Sequence, residues 1–259
     1  MPKKAIIPKS LNQIKELENY VDAFIIPIEN FSINYEKTFK INEVKTNKEI
    51  FFSLNKNFHN NELKDLEEIL KQIDNLNIKG ILFYDLALVN IHKRLNLKTD
   101  LVYAQEHLST NYGIINYWYK KGVKYAYLSS ELTKREIDEI RENTLSKLFV
   151  NVFGYIPMFT SQRHLVKNYL ETFNIKDENR QKVLEKENKK YIITDKKDGT
   201  TVYSDYILNS AKENFDKIDY LVFNSNFIEE ETFNEIIMNR KEIEENTGFL
   251  YNETIYKVK

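Results

Sequence analysis

Short apolar runs alternate with helical patterns along most of this chain, and that alternation constrains the fold more than any other feature. Eight runs stand out: Ala5 to Ile7, Ala23 to Ile28, Ile50 to Leu54, Gly80 to Tyr84, Leu101 to Ala104, Val123 to Leu128, Leu148 to Val152 and Tyr220 to Phe223. Strands that are apolar on both faces and separated by helices predict a parallel sheet covered on both sides. The intervening segments have the matching helical period. Leu11, Ile14 and Leu17 share one face, as do Leu63, Leu66, Ile69, Leu70 and Ile73, with Asn60 or Asn61 as the expected cap. Thr133-Lys134-Arg135-Glu136 is a capping box, and Gly122 stops a helix that begins near Tyr112. Eight such units in 259 residues predict an α/β fold, a (β/α)8 barrel spanning residues 1–259 as a single domain. An open doubly wound sheet would show the same alternation.

The regular spacing breaks between the seventh and eighth strands, which predicts an insertion over about residues 176–210. Lys176 to Lys190 is densely charged and reads as a solvated helix and loop. Tyr191 to Thr194 and Thr201 to Tyr203 flank Asp198-Gly199, a hairpin signal. Gly248 to Tyr251 with Thr254 to Val258 predicts a second, small C-terminal hairpin.

The chain has no Cys, which excludes disulfides, thiolate zinc sites, cysteine-ligated iron–sulfur clusters and cysteine nucleophiles. Its formal net charge of −1 gives no global attraction to polyanions, so a nucleic-acid partner would need a local basic patch. No segment approaches the roughly 20 apolar residues of a membrane span, and a soluble cytoplasmic protein is the expectation. The four His show no helix-borne zinc spacing, and no Gly-x-Ser-x-Gly elbow or phosphate-cradling Gly loop occurs. No metal site is predicted.

In a barrel of this kind, chemistry sits at the C-terminal ends of the strands. Glu106, Glu131 and His107 fall there as candidates for acid–base work, and Lys9, Asn55, Asn111 and Arg163 as candidates for substrate binding. Arg163 is the strongest anion binder among them, because a guanidinium grips carboxylate or phosphate through two bonds. The expectation is that Asn55, Glu106, Asn111, Glu131 and Arg163 converge on one pocket, with Arg163 as partner to the carboxylates. Plainer roles stay open: helix caps for Asn111 and Asp85, and ordinary ion pairs for Glu106, Glu131 and Arg163.

The stretch from Val152 to Leu165 resembles the signature of the peptidase U32 family, in which a Gly precedes two cysteines, with Ser and Arg shortly before the second. Gly154, Ser161 and Arg163 match, while Pro157 and His164 stand at the cysteine positions. Ile7-Pro8-Lys9-Ser10, Thr110-Asn111, Leu128 to Leu132, and Thr247 to Tyr251 with Tyr256 to Lys259 resemble further stretches of the family. The resemblance implies a β/α barrel. By its name it implies a collagenase-like peptidase. Several members are instead tied to oxygen-independent or prephenate-dependent hydroxylation of tRNA, rRNA or quinone precursors. The short, cysteine-poor members of Gram-positive bacteria, linked to 5-hydroxyuridine formation in tRNA, are the most similar. That branch implies tRNA as partner, prephenate as co-substrate and a second family member as subunit. No iron–sulfur cluster is expected where the thiolates are gone. Two other readings stay open, a peptidase and a non-catalytic barrel that binds a ligand or partner.

Overall fold

The computed structural model describes residues 1–177, 179 and 181–252. Seven parallel strands follow one another in register: β1 (Lys3–Ile7), β2 (Ala23–Pro27), β3 (Glu49–Leu54), β4 (Gly80–Phe83), β5 (Asp100–Tyr103), β6 (Tyr125–Tyr127) and β7 (Lys147–Gly154). A separate sheet comes next in the chain, made of β8 (Pro157–Ser161), β9 (Gln181–Lys186), β10 (Lys189–Lys196) and β11 (Gly199–Tyr203). The two-residue β12 (Leu208–Asn209) then runs antiparallel to the end of β7. Finally β13 (Tyr220–Asn224) enters between β7 and β1, pairing parallel with both. With β6 also paired to β7, the eight parallel strands close on themselves. The closed barrel decides against the open sheet.

Helices α1 (Leu11–Leu17), α2 (Leu63–Asp74), α3 (Leu86–Arg94), α4 (Tyr112–Lys120), α5 (Lys134–Glu142) and α7 (Glu230–Ile237) follow barrel strands, and α6 (Leu165–Thr172) lies in the insertion. Local chemistry sets their ends. The Thr133 side chain accepts from the Glu136 amide while Glu136 reaches back to the Thr133 amide. The turn before α2 is capped by His59 with Glu62 rather than by Asn60 or Asn61. Of the predicted apolar face, α2 buries Leu66, Leu70 and Ile73, with Leu63 and Ile69 half-buried at its margins.

Two apolar clusters result. One fills the layer between strands and helices. The other lies inside the barrel and is built on aromatic rings: Phe149 stacks on Tyr220 at 4.2 Å between centroids, and Phe51 meets both edge-on. This plug fills the middle of the barrel. Because side chains alternate along a strand, the next inward positions above it are Ser53, Tyr127, Asn151 and Asn224, and the interior turns polar toward the C-terminal end.

The insertion differs from expectation. The charged stretch from Lys176 onward is not a helix and loop: it contains β9, which forms a hairpin with β10, and the second sheet begins as early as Pro157. The reason lies in the turn. Glu187 and Asn188 both take positive φ, 52° and 63°, the backbone of a tight hairpin, yet lack the Asn-Gly type of pair that signals one. The Asp198-Gly199 hairpin forms between β10 and β11 as read. At the other end, Gly248 to Tyr251 is a turn packed where α5 starts, with the Leu250 carbonyl accepting from the Lys134 amide at 2.8 Å. Thr254 to Val258 lie outside the described residues.

Candidate functional site

The polar end of the barrel opens into a small inner chamber of about 40 Å³ and two larger cavities of about 480 and 460 Å³. Glu106 and Pro157 line all three. Glu106 is there because it lies two residues beyond Ala104, and so continues the inward-facing row of β5. Tyr84 does the same beyond Leu82 of β4. Pro157 is there because β8 crosses the mouth as it leaves β7.

The Glu106 carboxyl has an unusual environment. Burial pushes its pKa up to about 7, and the Glu131 carboxylate adds to the rise. No cation is among the influences on it. The phenols of Tyr35, Tyr84 and Tyr127 are pushed above their ordinary range, chiefly by burial and further by the Glu106 charge. Tyr35 shares a hydrogen bond of 2.9 Å with the Ser53 hydroxyl. Deeper in, Asn151 Oδ1 is buried and meets no hydrogen-bond partner among the described residues. A carboxylic acid that is half protonated near neutrality, set among hydroxyl and amide groups, can both give and take a proton.

The other expected residues divide between the mouth and its surroundings. His107 is exposed and borders both larger cavities, and Glu131 borders the 460 Å³ one. Asn55 reaches the inner chamber, but both ends of its amide are spent on Ile33: Oδ1 accepts from the Ile33 amide at 2.9 Å and Nδ2 donates to its carbonyl at 3.1 Å. Asn55 therefore holds the loop between β2 and β3 over the chamber. Lys9 donates to the Ile228 carbonyl and lies 3.9 Å from Glu36, tying the ends of β1 and β13 together. Asn111 is exposed and caps α4, accepting from the Ile114 amide, and Asp85 caps α3 in the same way. Arg163 sits beyond the end of β8, exposed, with its backbone bonded to Ser161 and Thr200. It lines none of the cavities around Glu106. The guanidinium–carboxylate pairing expected from the sequence is absent among the described residues.

Sequence reasoning missed the groups that join the second sheet to the barrel. Lys56 bonds Glu62 at 2.6 Å and Asp198 at 2.9 Å, which clasps the β10–β11 turn to the end of β3. Asn34 accepts from Thr201 at 2.7 Å, and Lys196 donates to the Tyr35 and Glu36 carbonyls. The two cysteine positions of the signature have separate fates. Pro157 faces the cavities, whereas His164 bonds the fully buried Asp195 at 2.6 Å and helps hold the start of α6.

Residues 14–225 match the sequence profile of peptidase family U32. The chain belongs to that family. The tRNA hydroxylation protein P2 of Bacillus subtilis is 27% identical over 179 residues, 66% of this chain and 58% of that protein. The tRNA hydroxylation protein P1 of the same organism is 22% identical over 121 residues, 47% of this chain and 29% of that one. An uncharacterised protease of Methanocaldococcus jannaschii is 31% identical over 97 residues, 38% of this chain and 23% of its own length. The chain thus spans little more than half of the P2 protein. No helix among the described residues is long and apolar enough to cross a membrane.

Proposed function

We propose that this U32 protein is a component of a tRNA hydroxylation system that forms 5-hydroxyuridine, with prephenate as co-substrate. The similarity to P2 over 66% of the chain carries this reading. The mouth of the barrel supports it. The cavities beside Glu106 are large enough for a nucleoside-sized group, and a carboxylic acid near neutrality suits proton transfer at a base or at a small acidic co-substrate. In this reading Glu106 is the acid–base group, Glu131 adds to the proton affinity that burial gives it, and His107 works at the rim. Asn55 shapes the chamber through the loop it holds. Asn111 and Arg163 do not touch the substrate at Glu106. The protein works in the cytoplasm with a second U32 protein, as the paired relatives P1 and P2 suggest.

The test is mass spectrometry of tRNA nucleosides from a strain lacking the gene. The 5-hydroxyuridine nucleosides should disappear, return with the wild-type gene and stay absent with Glu106→Gln. An unchanged nucleoside profile in the deletion strain would overturn the proposal.

A further inference from the structure

We propose that the outer face of the second sheet, together with α6, is the surface on which a structured RNA docks, so that one of its nucleotides reaches Glu106. This rests on the tRNA reading above and adds where the RNA is held.

Charge is the first observation. The chain as a whole carries −1, but residues 157–203 hold ten Lys and Arg against seven Asp and Glu, a local +3, which leaves −4 on the rest. Two of the seven acids are occupied, Asp195 buried under the start of α6 against His164 and Asp198 paired with Lys56 of the barrel. Two of the ten cations bond the barrel, Lys196 at the Tyr35 and Glu36 carbonyls and Lys197 at Asn30, so the local excess stays at +3. Meanwhile Arg163 and Lys186 are exposed and make no ion pair among the described residues. A basic element on an otherwise acidic protein marks the local patch that polyanion binding requires.

Exposed rings are the second. Phe159, Tyr169 and Phe173 are 50%, 56% and 62% exposed, and the Tyr169 and Phe173 rings lie 4.8 Å apart. The strand register places Phe159, Val202, Ile193 and Lys182 in one cross-strand row. Asp195 and Thr200, which hold the start of α6, fall on the same face by the two-residue alternation. Phe159, Lys182 and Lys186 therefore share one face, whereas Lys190, opposite Glu185, lies on the other. Lysine is depleted at protein–protein contacts, whereas cations interleaved with exposed rings suit a phosphate backbone with bases stacked on aromatic side chains.

Continuity with the mouth is the third. The opposite face of the sheet caps the barrel through Thr201 and Tyr203. The end of the β9–β10 hairpin bends to the rim, where Lys189 pairs with Asp205 and Tyr191 joins Glu106 and Glu131 in lining the 460 Å³ cavity. RNA lying on the outer face can pass one unstacked nucleotide around this rim, the usual route to a base that must be modified.

The test is fluorescence-anisotropy titration of unmodified tRNA transcript with the full chain over a range of salt. Arg163→Glu and Lys186→Glu combined should weaken binding about tenfold or more and lower the salt slope by roughly one per cation removed, with the melting temperature unchanged. Tyr169→Ala with Phe173→Ala should weaken binding while leaving the slope as it was. Lys93→Glu with Lys120→Glu, on the outer helices α3 and α4, should change little. If the double variant binds like wild type while wild type binds well, the docking surface is wrong and the tRNA reading stands. If the aromatic pair abolishes self-association and leaves RNA affinity intact, the face is a protein interface and the proposal is overturned. Failure of wild type to bind tRNA at any salt would overturn the tRNA reading as well.

Discussion

Gly154, at the end of β7, lies so close to Asn224, at the end of β13, that a Cβ on the glycine would sit 2.4 Å from the Asn224 carbonyl oxygen. Its φ of +116° is also one that a side chain resists. Gly154 is thus a backbone requirement of the seam between these strands, and it sets the position of an amide that lines the inner chamber.

Gly154→Ala should therefore destabilise the protein by on the order of 3 kcal/mol, combining a steric clash with backbone strain. In a protein of this size that lowers the melting temperature by roughly 10 °C, which differential scanning fluorimetry resolves. Gly122→Ala is the control: it also has positive φ, but nothing lies within 4 Å of the added Cβ, so only the smaller conformational cost remains.

Glu106 couples stability to pH. Its native pKa, about 7, lies above the ordinary 4.5, so between those values the native state holds a proton that the unfolded chain has released. Stability then falls as pH rises through this window and levels off above it. Glu106→Gln removes the dependence. The variant should exceed wild type by on the order of 2–3 kcal/mol at about pH 8 and by little at about pH 4. Urea denaturation at the two pH values checks this, and equal differences at both would refute it.

Glu131→Gln should lower the Glu106 pKa without returning it to the ordinary carboxylate range, because burial is the larger cause and survives the substitution. Carbon-detected NMR titration of the labelled Glu106 carboxyl reads the shift directly. No movement would mean that the two carboxylates do not sense each other.

Phe149→Ala should cost about 3–5 kcal/mol, since the ring is fully buried between Tyr220 and Phe51 and its loss opens a cavity in the barrel. Phe159→Ala, on the exposed face, should fall within about 0.5 kcal/mol of wild type. The same denaturation series measures both.

The barrel strands were legible in the sequence because burial on both faces leaves short, mostly apolar runs, such as Ala23 to Ile26, even where a polar residue such as Ser53 or Asn151 interrupts them near the mouth. Glu106 and Glu131 could be placed at the mouth because a parallel barrel puts every strand end on one side. The groups around Glu106 could not. Tyr35 comes from a loop, Tyr84 from the end of β4 and Tyr127 from within β6, and no local spacing links residues that only the closed barrel brings together. β9 was hidden for a different reason. It is an exposed edge strand whose Lys and Glu residues carry no burial pattern, so Gln181 to Lys186 looks like solvated chain until its partner β10 is known. Arg163 stood out by its signature, yet a signature records order along the chain and says nothing of which way a side chain faces.

The placement of β13 between β7 and β1 has a consequence for how the molecule is made. Lys3 pairs with Tyr220, and Phe149 pairs with the same residue from the other side. Until the segment around Tyr220 docks, the preceding strands form an open sheet whose two flanks, β1 and β7, offer bare backbone and fully buried-type side chains to any passing chain. Such long-range closure is slow. A ribosome that has translated only as far as the second sheet therefore carries an adhesive intermediate, and the five residues from Tyr220 to Asn224 seal both flanks at once.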